Sequence, residues 1–218
     1  GAAPADSAFQ FTHRYQPSGT VGGDFFSISA LSDTEVAVFI CDVAGHGVRS
    51  ALITALIRAL VEELRPLAHD PGQFMTKLNS DLFAILQHAG SPVLTTAFYV
   101  VVNSATGKMR CANAGHPRPL LLRRTAGRVE SLKSPSKKNQ TALGLFEKMG
   151  YETFETLLAA QDLVMLFTDG LYEVHAPNEE LYTQEKLTAA AAQHLTATTA
   201  QLFDSLLSEI RDFAADHA

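Results

Sequence analysis

The stretch from Glu35 to Leu64 constrains the fold of this chain more than any other. It opens with an unbroken apolar run over residues 36–41, meets a carboxylate at Asp42, turns through a glycine-containing segment and continues as a long apolar helical pattern. The first run is short, β-branched and aromatic, and it ends at turn residues, so it predicts a buried strand. Asp42 is therefore expected where a central strand leaves the core, just before a helix over residues 49–64.

Two further acids repeat this arrangement. Asp24 stands beside a Gly-Gly pair in a strand-like segment, and Asp169 ends a second apolar run and precedes a glycine. Glycine permits positive φ and lets another group approach the backbone closely. Three carboxylates at strand ends supply the oxygen ligands that Mg²⁺ and similar hard cations prefer. The alternative for Asp42 is a structural one, in which it is the N-cap of the following helix.

Composition limits the classes of protein that fit. A chain of 218 residues with 46% apolar and 18% charged residues is typical of one soluble globular domain. Its net charge of −6 disfavours a nucleic-acid partner, because phosphate-backbone binding needs basic surfaces. Cys41 and Cys111 both lie in apolar strand-like runs without the paired spacing of a zinc site. They are expected to be buried free thiols in a reducing compartment.

The order of elements predicts a layered α+β fold. Residues 1–8 are interpreted as a linker, and residues 9–218 as a single domain. Apolar and polar residues alternate over 9–14, which predicts a half-exposed strand. Strands then alternate in blocks with two helix pairs, so antiparallel sheets covered by helices are expected, not βαβ units. The basic stretch at 123–138 is interpreted as a solvated face, with docking of an acidic or phosphorylated partner as the alternative.

Five short motifs carry a resemblance to a known family. They occur in the order Gly22-Gly23-Asp24-Phe25-Phe26, Cys41-Asp42-Val43-Ala44-Gly45-His46-Gly47, Asn113-Ala114-Gly115-His116-Pro117, Leu143-Gly144-Leu145 and Phe167-Thr168-Asp169-Gly170-Leu171-Tyr172-Glu173. Together they resemble the SpoIIE-like and RsbU-like branch of the bacterial PPM serine/threonine phosphatases, the protein phosphatase 2C group. The resemblance runs from about Phe9 to the terminal helix.

The resemblance implies a fold and a metal centre. The fold is an αββα sandwich, with two mainly antiparallel sheets flanked by helix pairs. The centre holds two Mn²⁺ or Mg²⁺ ions. By position in the motifs, Asp42 matches the carboxylate that bridges both metals. Asp24, helped by the Val43 backbone carbonyl, matches a ligand of one metal, and Asp169 a ligand of the other. These three aspartates are the expected catalytic residues.

The same comparison places three residues on the substrate side: Gly45, His46 and His116 are expected to contact the phosphorylated substrate. A histidine in a loop is more often structural or simply exposed, and that alternative stays open for both histidines. The chain offers no serine in a nucleophile-elbow pattern. The two-metal centre that the resemblance implies would use an activated water as the nucleophile.

One departure from the family pattern concerns the C-terminus. The family ends in a strand opened by an Asp-Asp pair, whose first acid completes the second metal site. Here the sequence ends at residues 213–218, and Asp216 is a poor substitute because no apolar strand follows it. We expect a phosphatase domain that lacks the final strand and belongs to a longer regulatory protein. Either the missing segment is absent from this sequence, or the domain binds its second metal weakly.

By resemblance, the expected function is metal-dependent hydrolysis of phosphoserine or phosphothreonine on a small regulatory protein. That protein would be a STAS-type anti-sigma-factor antagonist in a partner-switching pathway. The expected setting is cytoplasmic, with an upstream sensor or receiver domain in the same chain, a homodimer as one assembly and no nucleic acid. Two alternatives stay open. One is a phosphatase-like docking domain that binds a phosphoprotein without turnover, and the other is an unrelated two-metal hydrolase of diesters or nucleotides.

Overall fold

A computed structural model of the chain describes residues 9–15, 22–45, 47–87, 93–135 and 141–215. The chain divides into two compact units, which are considered separately. Unit 1 comprises the described residues within 9–11, 15–116 and 134–158. Unit 2 comprises the described residues within 12–14, 117–133 and 159–215.

Among the described residues, ten strands and four α-helices are defined. The strands are β1 (Phe25–Ala30), β2 (Glu35–Val43), β3 (Thr95–Asn103), β4 (Lys108–Ala114), β5 (Leu120–Arg123), β6 (Arg128–Ser131), β7 (Phe154–Leu157), β8 (Leu163–Met165), β9 (Val174–His175) and β10 (Leu181–Tyr182). The helices are α1 (Val48–Glu63), α2 (Pro71–Leu86), α3 (Gln184–Gln193) and α4 (Thr199–Ala215). Short 3₁₀ turns span Arg65–Leu67 and Asp169–Leu171.

Unit 1 is built on a five-stranded sheet in the order β1-β2-β3-β4-β7, with every neighbouring pair antiparallel. Alternate residues of β2 point to opposite faces, as the strand period requires. Ala37, Phe39 and Cys41 belong to the core that this sheet forms with α1 and α2. Residues 38, 40 and 42 therefore lie on the face directed away from those helices.

Local sequence explains how the helix pair forms. At the start of α2 the Asp70 carboxylate accepts hydrogen bonds from the backbone N–H groups of Gly72 at 3.0 Å and Gln73 at 3.2 Å, and a proline occupies the first turn. Both features favour helix initiation. Phe74 of α2 stacks on Tyr99 of β3 with ring centroids 4.2 Å apart. This aromatic contact fixes α2 against the middle of the sheet.

Unit 2 pairs a smaller sheet with two helices. Its three strands lie in the order β6-β5-β8 and are antiparallel, while β9 and β10 form a separate hairpin. Leu120 and Leu122 of β5 pack with Leu187 of α3 and Leu206 of α4 in one buried cluster. Thr183 caps α3 by accepting a hydrogen bond from the Lys186 N–H. Each unit thus has its own sheet, helix pair and core.

Most expected elements are confirmed, and the fold class is the expected α+β class with antiparallel sheets and two helix pairs. The strand expected over residues 9–14 is wrong, because the described residues 9–15 are irregular. Alternation alone does not make a strand, and in the part of the chain that the structure describes β1 is the edge strand of its sheet and pairs with β2. The basic stretch contains a strand that the sequence did not reveal, β6. Residues 1–8 lie outside the described residues.

Both cysteines are buried and free, as expected. Burial raises the pKa of the Cys111 thiol well above its usual value. A thiol with a raised pKa forms little thiolate at neutral pH, so it is a poor nucleophile. In the portion of the chain that the structure covers, no helix has the length and apolar character required to cross a membrane.

Candidate metal centre

The pairing of β1 with β2 brings Asp24 and Asp42 face to face. In the antiparallel register Phe25 lies opposite Cys41. One residue further along each strand, Asp24 lies opposite Asp42. The pairing does continue in this direction, because the Val43 N–H donates to the Gly23 carbonyl oxygen at 3.4 Å. Directly opposed residues point to the same face of a sheet, here the face away from α1 and α2.

The hydrogen-bond pattern also indicates how close these two acids are. Because Gly23 and Val43 form a hydrogen-bonded pair, Asp24 and Asp42 form the adjacent non-hydrogen-bonded pair. In such a pair the Cα atoms are about 4.5 Å apart, the closer of the two antiparallel spacings. Two carboxylates at this distance destabilise the sheet when both are charged. A divalent cation between them removes that repulsion, so the pair fits a metal centre.

Electrostatics at a neighbouring group supports this placement. The pKa of the Cys41 thiol is raised, first by burial and then by the negative charges of Asp42 and Asp24. Both carboxylates therefore act on the same buried sulfur. Asp24 and Asp42 are themselves half-buried, which strengthens electrostatic interactions with a bound ion compared with bulk water.

Gly23 allows the two strands to meet at this point. A Cβ atom at Gly23 would lie 2.2 Å from the carbonyl oxygen of Val43, which is far inside van der Waals contact. The hydroxyl of Thr54 in α1 lies 2.9 Å from the Gly23 carbonyl oxygen and 2.9 Å from that of Ser50. Helix α1 is thus in hydrogen-bonding distance of the backbone that carries Asp24. The Val43 carbonyl oxygen lies at the same corner, against Gly23.

A third strand continues the row of polar residues. Thr96 of β3 lies opposite Asp42 in the β2–β3 register, so its side chain is on the same face. The Ala44 N–H donates to the Leu94 carbonyl oxygen at 2.8 Å and extends that register past the end of both strands. Asp24, Asp42 and Thr96 therefore form one row across three adjacent strands. The sequence did not identify Thr96, because nothing in a Thr-Thr strand pattern shows which residue faces an acid.

His116 lies at the end of this row. Its Nδ1 atom is 2.9 Å from the Thr96 Oγ1. Asn113 holds its backbone from both sides, since the Asn113 Oδ1 accepts from the His116 N–H at 2.8 Å and the Asn113 Nδ2 donates to the His116 carbonyl at 3.0 Å. The preceding Gly115 has a φ of 71°, a conformation that favours glycine. His116 is only 4% exposed.

The glycine turn after β2 contains the other residues expected on the substrate side. Gly45 is exposed and has a φ of 95°, and Gly47 has a φ of 91°. Both are conformations that residues with a side chain rarely adopt. His46 lies outside the described residues. The substrate contacts of Gly45, His46 and His116 stay predictions.

Asp169 belongs to unit 2 and has a different setting. It follows β8 and opens the 3₁₀ turn Asp169–Leu171, where its carbonyl oxygen accepts hydrogen bonds from the N–H groups of Tyr172 at 2.9 Å and Glu173 at 2.8 Å. The pKa of the Tyr172 hydroxyl is raised by burial, by Glu173 and by Asp169. Asp169 is half-buried.

The donor set of unit 1 suits a hard cation. Two carboxylates and a backbone carbonyl are ligands of the type that Mg²⁺ and Mn²⁺ take in proteins. Within residues 9–15, 22–45, 47–87, 93–135 and 141–215, no group of three or more His, Cys, Asp or Glu side chains is arranged to hold a metal ion. The assignment of Asp24, Asp42, Val43 and Asp169 as ligands therefore stays a prediction, supported by the Asp24–Asp42 pair.

Comparison with known families agrees with the sequence motifs. The profile of the family described as stage II sporulation protein E (SpoIIE) matches residues 32–218. The chain belongs to the SpoIIE family. The resemblance drawn from the five motifs is therefore confirmed.

Two relatives of this SpoIIE-family chain come from Bacillus subtilis (strain 168). The phosphoserine phosphatase RsbP is 25% identical over 203 residues, which is 93% of this chain and 47% of RsbP. The phosphoserine phosphatase RsbU is 24% identical over 215 residues, which is 96% of this chain and 61% of RsbU. The chain thus spans about half the length of the curated relatives it matches. These relatives are hydrolases, which agrees with the expected enzyme class.

Solved structures share the fold. The SiaA-PP2C domain of Pseudomonas aeruginosa matches with a TM-score of 0.78 at 21% identity, covering 92% of this chain and 78% of that domain. The PP2C phosphatase domain of SpoIIE from Bacillus subtilis matches with a TM-score of 0.70 at 18% identity, covering 91% of this chain and 56% of that one. RsbX, solved in complex with magnesium, matches with a TM-score of 0.59 at 18% identity, covering 90% of this chain and 82% of RsbX. These similarities confirm a protein phosphatase 2C-like fold.

Proposed function

We propose that this chain is a metal-dependent phosphoprotein phosphatase domain that hydrolyses phosphoserine or phosphothreonine. The Asp24–Asp42 pair carries the proposal. Two half-buried carboxylates directly opposed across an antiparallel ladder are unfavourable for stability alone, and they suit a divalent cation. Membership of the SpoIIE family and the phosphoserine phosphatases among its relatives support the same conclusion.

Each residue of the site has a distinct task. We propose Asp42 and Asp24, with the Val43 carbonyl, as the metal ligands of unit 1, and Asp169 as a metal ligand of unit 2. When bound, the two ions lower the pKa of a water and neutralise charge on the phosphoryl oxygens. The register of β1 and β2 holds Asp24 and Asp42 in place before any substrate arrives. Such preorganisation is a main source of rate enhancement in phosphoryl transfer.

The exposed glycine turn after Asp42 is the proposed entry for the phosphoryl group. Gly45 is exposed, and without a side chain it leaves room for a phosphorylated residue beside the acids. Gly45 and His46 are the proposed substrate contacts. Burial of His116 to 4% exposure favours a supporting role for its ring over direct contact with a phosphate.

The proposed substrate is a small phosphorylated regulatory protein, an anti-sigma-factor antagonist of the STAS type. Two relatives, RsbP and RsbU, are phosphoserine phosphatases, and both are longer than this chain. A cytoplasmic partner-switching pathway with an upstream sensor or receiver domain is the setting that we propose. A homodimer is the proposed assembly of the longer protein.

Replacement of Asp42 by Asn tests the proposal. The purified chain is assayed with Mn²⁺ on a small aryl phosphate and on a phosphoserine-bearing antagonist protein. We expect the Asp42→Asn variant to lose at least 100-fold in turnover, within the ~10²–10³-fold loss seen when one group stabilising transition-state charge is removed. Asp33→Asn, at an exposed turn position, is the matched control and should retain full turnover.

Two outcomes would contradict this function. Equal turnover of the Asp42→Asn variant and the wild type would remove Asp42 from the site. Tight binding of the phosphoprotein without Mn²⁺-dependent phosphate release from either substrate would indicate the docking domain instead.

A further inference from the structure

The row of polar residues contains a member with no role in the metal centre described so far. Thr96 lies directly opposite Asp42 and points to the same face of the sheet. The pairing of Ala44 with Leu94 makes Asp42 and Thr96 a hydrogen-bonded ladder pair, whose Cα atoms are about 5.5 Å apart. At this spacing a threonine hydroxyl reaches the carboxylate across the ladder.

The Thr96 hydroxyl is held from its other side. The 2.9 Å contact with the His116 Nδ1 fixes the χ1 angle of Thr96 or the direction of its proton. His116 is itself held, because both polar atoms of the Asn113 amide bond to its backbone and its ring is buried. The orientation of the Thr96 hydroxyl is therefore fixed by the His116 ring, and the His116 backbone is in turn held by Asn113.

We propose that Thr96 is a positioning residue that orients the Asp42 carboxylate for a divalent cation, and that His116 acts through Thr96. In this arrangement the His116 Nδ1–H donates to the Thr96 Oγ1, and the Thr96 hydroxyl donates to Asp42. The inference rests on the proposed function, because Asp42 must be a metal ligand for Thr96 to support it. Outer groups that orient a metal ligand contribute about 10–100-fold to metal affinity.

The competing account is that Thr96 only fills space between β2 and its neighbours. Valine has nearly the shape of threonine without the hydroxyl, and serine keeps the hydroxyl without the methyl group. A packing role predicts that Thr96→Val is tolerated and Thr96→Ser is not. A positioning role predicts the reverse for metal affinity.

The test measures Mn²⁺ affinity of the full chain by isothermal titration calorimetry, without substrate. We expect Thr96→Val to weaken Mn²⁺ binding about 10-fold or more, and Thr96→Ser to restore nearly wild-type affinity. Thr95→Val is the matched control, since Thr95 lies one residue away on the opposite face of β3 and is fully buried. It should leave Mn²⁺ affinity unchanged. Thermal unfolding with a chelator present checks that all variants are folded.

A double variant tests the link to His116. If Thr96 and His116 act as one unit, adding His116→Ala to Thr96→Val causes no further loss of Mn²⁺ affinity. Additive losses would contradict the link. Wild-type affinity in Thr96→Val, alongside a large loss in Asp42→Asn, would overturn this inference and leave the proposed function intact. Wild-type affinity in Asp42→Asn would overturn the proposed function itself.

Discussion

The two units present acidic residues in different ways. In unit 1, Asp24 and Asp42 are successive members of a row across a five-stranded sheet, and their separation is set by the register of β1 and β2. In unit 2, Asp169 follows a strand of a three-stranded sheet and lies in a 3₁₀ turn held by backbone hydrogen bonds to its carbonyl oxygen. One pair of acids is fixed by a ladder, and the other acid by a single turn.

This difference has a physical consequence. A ladder position cannot move without breaking several backbone hydrogen bonds, so the repulsion between Asp24 and Asp42 is part of the folded state. A turn adapts its backbone at lower energy, because few neighbouring groups depend on it. We therefore expect unit 1 to show large effects when its acidic corner is changed and unit 2 to tolerate equivalent changes.

The glycines beside the acids give the largest expected contrast. Gly23→Ala places a methyl group 2.2 Å from the Val43 carbonyl oxygen, whereas a Cβ at Gly170 meets nothing within 4 Å. We expect Gly23→Ala to destabilise the protein by about 3 kcal/mol, the upper end for overpacking, and to abolish tight Mn²⁺ binding. Gly170→Ala should stay within about 0.5 kcal/mol of the wild type. Urea unfolding measures the free energy of unfolding of both variants. Equal losses of stability in Gly23→Ala and Gly170→Ala would contradict the expected contrast between the two units.

The next largest expected effect on stability concerns the ion pairs of unit 2. Asp162, whose side chain is 1% exposed, accepts hydrogen bonds from the Arg123 guanidinium at 2.7 Å and from the Ala159 N–H at 2.9 Å. Replacing the Asp162 carboxylate by a neutral amide weakens its ion pair with the Arg123 guanidinium. We expect Asp162→Asn to lower the free energy of unfolding by about 2 kcal/mol, and Glu130→Gln, at a more exposed partner of Arg123, by less than about 1 kcal/mol.

Hydrogen exchange measured by mass spectrometry locates the effect. Faster exchange confined to peptides of unit 2 is the expected result for Asp162→Asn. Equal acceleration in unit 1 would show that the two units do not respond independently.

In unit 1, substitution of Thr95 is expected to change the free energy of unfolding by a smaller amount and in the opposite direction. Its side-chain oxygen is buried and has no hydrogen-bond partner among the described residues. A buried hydroxyl without a partner carries a desolvation penalty of about 1–3 kcal/mol. Thr95→Val should therefore stabilise the protein by about 1 kcal/mol, seen as a rise in the urea midpoint. A loss of stability would mean that the hydroxyl has a partner in solution.

The smallest expected effect depends on pH and belongs to the other end of β2. Burial raises the pKa of Glu35. The hydrogen bond from His69, the charge of Arg110 and a hydrogen bond from Asn103 together lower the pKa by more than burial raises it, so it lies below its usual value of 4.5. The Glu35 Oε2 lies 2.8 Å from the His69 Nδ1, and the Oε1 lies 2.5 Å from the Arg110 Nη2. These contacts favour the ionised carboxylate.

The sign of the pH effect follows from linkage. Because the folded-state pKa is lowered, the stabilisation by Glu35 is fully present above pH 4.5 and is lost as the pH falls through the folded-state value. Unfolding free energy is measured by urea titration between pH 7 and pH 3 for the wild type and Glu35→Gln. The difference between the two proteins should shrink below pH 4.5. A constant difference across this range would contradict the role of the ionised carboxylate.

The sequence predicted the parts of the fold that depend on local pattern. The apolar run before Asp42 predicted β2, and the long apolar stretch after it predicted α1. The motif order predicted the family, which the comparison confirms. These features are local, because strand and helix periods are encoded in neighbouring residues.

What the sequence could not provide was register. Only the pairing of β1, β2 and β3 shows that Asp24, Asp42 and Thr96 form one row, and pairing depends on residues up to about 70 positions apart in the chain. The strand predicted over residues 9–14 failed for the same reason, since alternation is visible in sequence but strand pairing is not. Long-range pairing decides both cases.

Anomalous diffraction from crystals grown with Mn²⁺ shows whether the β1–β2 register makes Asp24 and Asp42 a cation site. We expect an anomalous peak within coordination distance of both carboxylates, lost in Asp42→Asn crystals. No peak at this pair at saturating Mn²⁺, with the two side chains directed apart, would contradict this expectation.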